Sequence, residues 1–233
     1  MIKVLMLSSS RAGQGAYLES ATKLIQDVLS PVEEVLFIPY AGVTLKWDDY
    51  LKKVQQALPF LTIQSIHQCP SPKDALLNAK SIMVGGGNTF NLLRQLQDQG
   101  LTDVIVQRVN AGVPYVGWSA GANLCGNSIR TTNDMPIIQP LSFDALNLVP
   151  FQINPHYSDY QPPGHNGETR AERIKEFCAL NPDMPVIGIR EGSALYREGQ
   201  NLSLLGELDG VLFTGENVKT ITKSDNLSYL LNV

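Results

Sequence analysis

The chain has 233 residues, 43% of them hydrophobic and 17% charged, with a formal net charge of −4. That length suits one sizeable α/β domain over 1–233, and the charge leaves no basic footprint for nucleic acid. The apolar run in "MIKVLMLSSS" is too short and wrongly flanked for a signal peptide or spanning helix, so no membrane partner is expected either.

Short buried-strand patterns alternate with helical ones along the first half. "IKVLML" (2–7) reads as a strand, and residues 16–29 read as a helix with Leu18, Ala21, Leu24, Ile25, Val28 and Leu29 at helical spacing. Strand 34–40, helix 48–58, strand 61–66 and a short helix 72–79 with proline near its start come next. "SIMVGGGN" (81–88) is a strand running into a glycine turn. Asn88 and Thr89 then cap a helix that Gly100 ends, and helix 102–110 leads to the strand "VPYVGW" (113–118). Beyond residue 125 the pattern loosens. It gives a strand ending at Pro155–His156, an amphipathic helix over 169–180, and a strand, turn and hairpin over 185–206 around Glu198–Asn201. The tail "GVLFTGENVKTIT" reads as one late strand. Strand alternating with helix predicts an α/β fold, a mostly parallel sheet covered by helices on both faces.

Cys69, Cys125 and Cys178 are odd in number, form no CxxC pair, and do not cluster with His67, His156 or His165 at ligand spacing. Neither a disulfide framework nor a metal site is expected, and a reduced, cytoplasmic protein is the simplest reading.

In a parallel sheet, ligands bind beyond the carboxyl ends of the strands. Gly85–Gly87, Ser119, His156 and Glu191 all fall at predicted strand ends, and the last three are expected to meet above one edge of one sheet. "GWSAG" (117–121) matches the G-x-S-x-G elbow, in which side chains two residues either side of the serine collide. The Ala120 amide, opening a helix, can donate to an oxyanion, and Gly86 or Gly87 can supply a second donor. A tight turn with an idle serine is the plain alternative. A phosphate loop is another, although neither G-x-G-x-x-G nor a Walker lysine is present. A serine nucleophile needs a base. His156, locked behind Pro155, is better placed than His67 or the loop residue His165. For the acid that orients the base, Glu191 at a strand end and Asp134 in "RTTNDMPI" both qualify. The order serine, histidine, acid that Glu191 would give argues against an ordinary lipase or esterase.

The segments "FIPYAGVT", "VGGGNTFNLL", "GWSAGANL", "IRTTNDMPI", "FDALNLVPFQINPH" and "GHNGETRAERI" together resemble the peptidase E family, the α-aspartyl dipeptidases. The resemblance runs from about residue 37 to 191 and is looser over the last 40 residues. It implies a serine peptidase on a class I glutamine-amidotransferase-like, flavodoxin-like three-layer scaffold. The activity implied is cleavage of peptides with an unblocked N-terminal aspartate, with no metal and no cofactor, in a monomer or homodimer. Ser119 falls on the nucleophile and His156 on the base. Both positions read as the third member are present, as Glu191 and Asp134; Glu191 is favoured as the direct partner of His156, with Asp134 orienting or touching substrate. Gly87 and Ala120 hold the oxyanion. Gripping an aspartate carboxylate favours arginine, and Arg170, beside the His156 loop, is preferred to Arg130 and Arg190, although it can instead pair with Glu172 or Glu176. A cyanophycinase-like isopeptidase acting on β-linked aspartyl–arginine and a catalytically silent binding module of the same superfamily are the rival readings.

Overall fold

A computed structural model describes residues 1–164 and 166–232; His165, weighed above as a base, lies outside the described residues. Seven strands form the larger sheet: β1 (Lys3–Leu7), β2 (Glu34–Ile38), β3 (Thr62–Ser65), β4 (Ile82–Val84), β5 (Tyr115–Trp118), β8 (Ala194–Glu198) and β9 (Asn201–Leu205). Their order is β3-β2-β4-β5-β1-β8-β9. The first five are parallel, and β8 and β9 add an antiparallel hairpin. Side chains alternate between faces along each strand, and the two faces bury separate clusters. Leu5, Leu7, Phe37, Met83 and Trp118 pack against α1 (Thr22–Leu29) and α2 (Trp47–Ala57). Val4, Met6, Ile38, Val84 and Tyr115 face the opposite layer, α3 (Pro72–Asn78), α4 (Thr89–Asp98) and α5 (Thr102–Asn110).

That second cluster also takes in Ile153, Ile187 and Leu212, which belong to a separate sheet. It consists of β6 (Gln152–Asn154), β7 (Val186–Gly188), β10 (Gly210–Thr214) and β11 (Asn217–Ile221), in the order β11-β10-β7-β6. Its outer face is covered by α7 (Arg170–Leu180), whose Ile174 and Cys178 pack on Val186, Val211 and Phe213. Thr169 opens α7 with a reciprocal capping box to Glu172.

Three expectations change. The tail holds two strands, not one, because Gly215–Glu216 turns the chain back with a positive φ at the glycine. The first helix starts later: Glu19–Ala21 is a 3₁₀ turn and α1 begins at Thr22. His156 and Glu191 follow strands of the second sheet, so the site spans two sheets rather than one edge. Among the described residues no helix is long and apolar enough to cross a membrane.

Candidate active site

Ser119 follows β5 and starts α6 (Ala120–Asn123) with φ 52°, a left-handed value that a serine adopts only when its surroundings impose it. Those surroundings are backbone. A methyl on Gly117 would lie 2.3 Å from the Gly121 carbonyl oxygen, and one on Gly121 would lie 2.3 Å from that of Val84. The strand-to-helix turn therefore closes only with glycine at both positions. The Tyr115 hydroxyl donates to the Gly121 carbonyl (2.7 Å) and the Ser119 amide to that of Leu7 (3.1 Å), fixing the turn from both sides.

β6 and β7 run parallel with Asn154 opposite Gly188, so the residues after them emerge side by side. His156 Nδ1 lies 2.7 Å from Glu191 Oε1, and His156 Nε2 lies 2.8 Å from Ser119 Oγ. An ionised carboxylate only accepts, which puts the proton on Nδ1 and leaves Nε2 to accept from the serine hydroxyl. His156 also has a left-handed φ, 54°. What holds it there is Ser8, a fully buried residue just past β1 that sequence reasoning missed. The His156 amide donates to Ser8 Oγ (2.9 Å), and Ser8 Oγ donates to the Ile189 carbonyl (2.7 Å), two residues before Glu191. One hydroxyl thus ties both second-sheet loops to the sheet that carries Ser119. The polar run "SSS" directly after a strand was the only signal available.

Asp134 does not reach His156. Its Oδ2 accepts from the Thr89 amide (2.7 Å), the Thr89 hydroxyl (2.5 Å) and the Thr132 hydroxyl (3.1 Å), at the N-terminus of α4. It lines a cavity of about 210 Å³ together with Ser119, Ala120, Asn123, His156 and Arg170. Arg170 pairs with neither Glu172 nor Glu176: Glu172 is committed to the Thr169 cap, and Arg170 Nη1 is buried without a partner among the described residues. Burial, followed by the nearby Arg173 charge, holds the Arg170 guanidinium below its ordinary value. Asn123 donates to the Ile153 carbonyl (2.6 Å), while its Oδ1 is buried with no partner among the described residues. Asn123 and Arg170 both line the cavity, and among the described residues each leaves one buried polar atom unpaired, a costly arrangement. The other two arginines are engaged elsewhere. Arg130 lies over the Phe177 ring and reaches Asn181, whereas Arg190 binds Asp159 and the Asp209 carbonyl.

Beyond β4, a methyl on Gly86 would fall 2.9 Å from Ser119 Cβ, and one on Gly87, at φ 142°, would fall 2.2 Å from the Ala41 carbonyl oxygen. The glycine loop is thus pressed between the elbow and the β2 loop. The Gly85 amide donates to Ile38 (3.0 Å) and the Asn88 amide to Ala41 (2.8 Å). Among the described residues, no backbone carbonyl accepts from Gly86 or Gly87. Two larger grooves, about 490 and 450 Å³, lie along Glu34–Lys80 and around Trp47 and His67, and neither includes Ser119 or His156. No group of three or more His, Cys, Asp or Glu able to hold a metal occurs among the described residues.

The model of peptidase family S51 matches residues 4–205. The chain is 54% identical over 233 residues to peptidase E of Shewanella denitrificans, covering 98% of this chain and 99% of that one. With peptidase E of Shewanella oneidensis it shares 52% identity, covering 99% of each. A crystal structure described as a candidate peptidase E from Listeria monocytogenes EGD-e superposes with a TM-score of 0.69 at 25% identity, covering 89% of this chain and all of that one. A peptidase from an acI-B1 actinobacterium shares the fold, with a TM-score of 0.68 at 18% identity and 97% of each chain covered.

Proposed function

The chain belongs to peptidase family S51 and is a serine-type peptidase, and on that premise we propose that it releases N-terminal aspartate from Asp-Xaa dipeptides, with Ser119 as nucleophile, His156 as base and Glu191 as the acid that orients it. The observation that carries this reading is the unbroken chain from Glu191 through His156 to Ser119, opening on a cavity lined by Arg170, whose Nη1 has no partner among the described residues.

In this mechanism His156 Nε2 takes the Ser119 proton as Oγ attacks the aspartyl carbonyl carbon. Glu191 steadies the imidazolium through Nδ1–H. The carbonyl oxygen becomes an oxyanion held by the Gly87 and Ala120 amides, each donor of this kind being worth about 2.7–4 kcal/mol. The carbon–nitrogen bond then breaks, and His156 gives its proton to the departing amine. Water, deprotonated by the same histidine, attacks the acyl ester, and aspartate leaves as Ser119 regains its proton.

Selectivity follows from the cavity's polar lining. Arg170 grips the substrate's side-chain carboxylate, while Asp134 receives its ammonium group. That ammonium requirement excludes blocked peptides. A single peptidase domain over 1–233 fits the core cluster shared by both sheets, and a reducing cytoplasm fits three free thiols.

The test is to incubate purified protein with Asp-Leu, N-acetyl-Asp-Leu and β-Asp-Arg and to measure amino acids released. Asp-Leu alone is expected to yield free aspartate. Preference for β-Asp-Arg would make the protein an isopeptidase, and cleavage of none of the three would refute the aspartyl reading.

A further inference from the structure

Tyr50 lies on α2, where its spacing marks it as a core residue, and its ring packs edge-on against Phe37 at 5.1 Å. Its hydroxyl nevertheless has three polar partners. Gly86 O lies 2.9 Å away, Trp118 Nε1 3.1 Å and the Tyr17 hydroxyl 3.3 Å. Chemistry fixes the direction of this network. The indole N–H can only donate and the carbonyl can only accept, so Tyr50 accepts from Trp118 and gives its own proton to Gly86.

The Gly86–Gly87 peptide is trans, since Ser30–Pro31 is the sole cis bond among the described residues. In a trans peptide the Gly86 carbonyl and the Gly87 N–H point in opposite directions within one rigid plane. The carbonyl faces the buried Tyr50, so the amide faces away from the core, and the same unit lies against Ser119. Three consecutive glycines have no side chains of their own to hold this orientation, and their backbone freedom is large.

We propose that Tyr50 is a positioning residue whose hydroxyl aims and polarises the Gly86–Gly87 peptide as oxyanion donor. The proposal rests on the reading of Ser119 as nucleophile and extends it to a residue that touches no substrate. A hydrogen bond at the carbonyl end draws electron density from the amide end, so the run from Trp118 through Tyr50 and the peptide to the oxyanion is mutually reinforcing. Burial pushes the Tyr50 phenol up to about 12, so near neutral pH it keeps the proton it donates.

Tyr50→Phe removes the hydroxyl and keeps the ring. The expected result is a fall in kcat on Asp-Leu of about 10- to 30-fold, below the 10²–10³ typical of deleting a donor outright, with KM within about twofold. An aspartate-derived boronic acid, whose tetrahedral adduct with Ser119 puts an oxygen in the same position, should lose affinity by a similar factor. Inhibition by free aspartate, which measures ground-state binding, should not move; a merely structural role would shift KM and aspartate inhibition along with kcat and boronate affinity. Should Tyr50→Phe not fold, Tyr17→Phe, which removes a donor onto Tyr50, should give the same split at about two- to threefold. Unchanged boronate affinity in the variant that folds overturns the proposal while leaving the serine reading intact. A wild-type protein in which the boronate forms no adduct at Ser119 overturns both.

Discussion

The set Ser119, His156 and Glu191 has a counterpart in Ser65, His67 and Asp48 at the far edge of the larger sheet. There His67 Nδ1 lies 2.7 Å from Ser65 Oγ and its Nε2 lies 2.9 Å from Asp48 Oδ1, distances as good as those at the rim. Composition and spacing do not separate the two; surroundings do. Ser65 is a strand residue, 0% exposed, with its hydroxyl 3.4 Å from the Phe37 carbonyl, so no substrate carbonyl can approach it. Its histidine is turned the other way, with Nε2 on a carboxylate that is 67% exposed. Ser119 sits partly open on a strained turn beside amides that have no backbone acceptor among the described residues. Access and waiting oxyanion donors, more than the hydrogen-bonded trio itself, mark a reactive serine.

Substitutions sharpen this contrast. Ser119→Ala should lower turnover on Asp-Leu by about 10⁴–10⁶ with an unchanged melting temperature; a loss under tenfold would break the distinction at its centre. Glu191→Gln should cost about 10²–10⁴ in kcat, since the imidazole loses the charge that fixes its tautomer. Asp134→Asn, acting on substrate, should cost less in kcat and more in KM. The reverse ranking would transfer the orienting role to Asp134. Arg170→Met should cut kcat/KM on Asp-Leu by about 10- to 100-fold, in line with the ~1.5–3 kcal/mol of a charge-assisted bond, while thermal unfolding barely moves. Ser65→Ala is expected to leave kinetics untouched and to lower stability by about 1 kcal/mol, read from denaturant unfolding.

The elbow was legible because its chemistry is local: Gly117 and Gly121 flank Ser119 in five residues, and their need for glycine follows from backbone overlap. Strand ends marked His156 and Glu191 for the same reason. The second sheet was not legible. β6 and β7 are three residues each and pair across more than thirty positions of chain, so no short window shows that they leave the main sheet. Ser8 and Tyr50 act through contacts 148 and 36 residues away, and in the primary structure they resemble a turn serine and a core aromatic. Asp134 was legible as a residue that orients or touches substrate, but its place in the fold was not. That it holds the start of α4 depends on Thr89 and Thr132 meeting it in space.

The most direct measurement is labelling of the native protein with an aspartyl diphenyl phosphonate, followed by peptide mass mapping. A single adduct on Ser119, absent from Ser119→Ala and prevented by excess Asp-Leu, is the expected result. An adduct on Ser65, or undiminished Asp-Leu hydrolysis in Ser119→Ala, would contradict the assignment of Ser119 as the nucleophile.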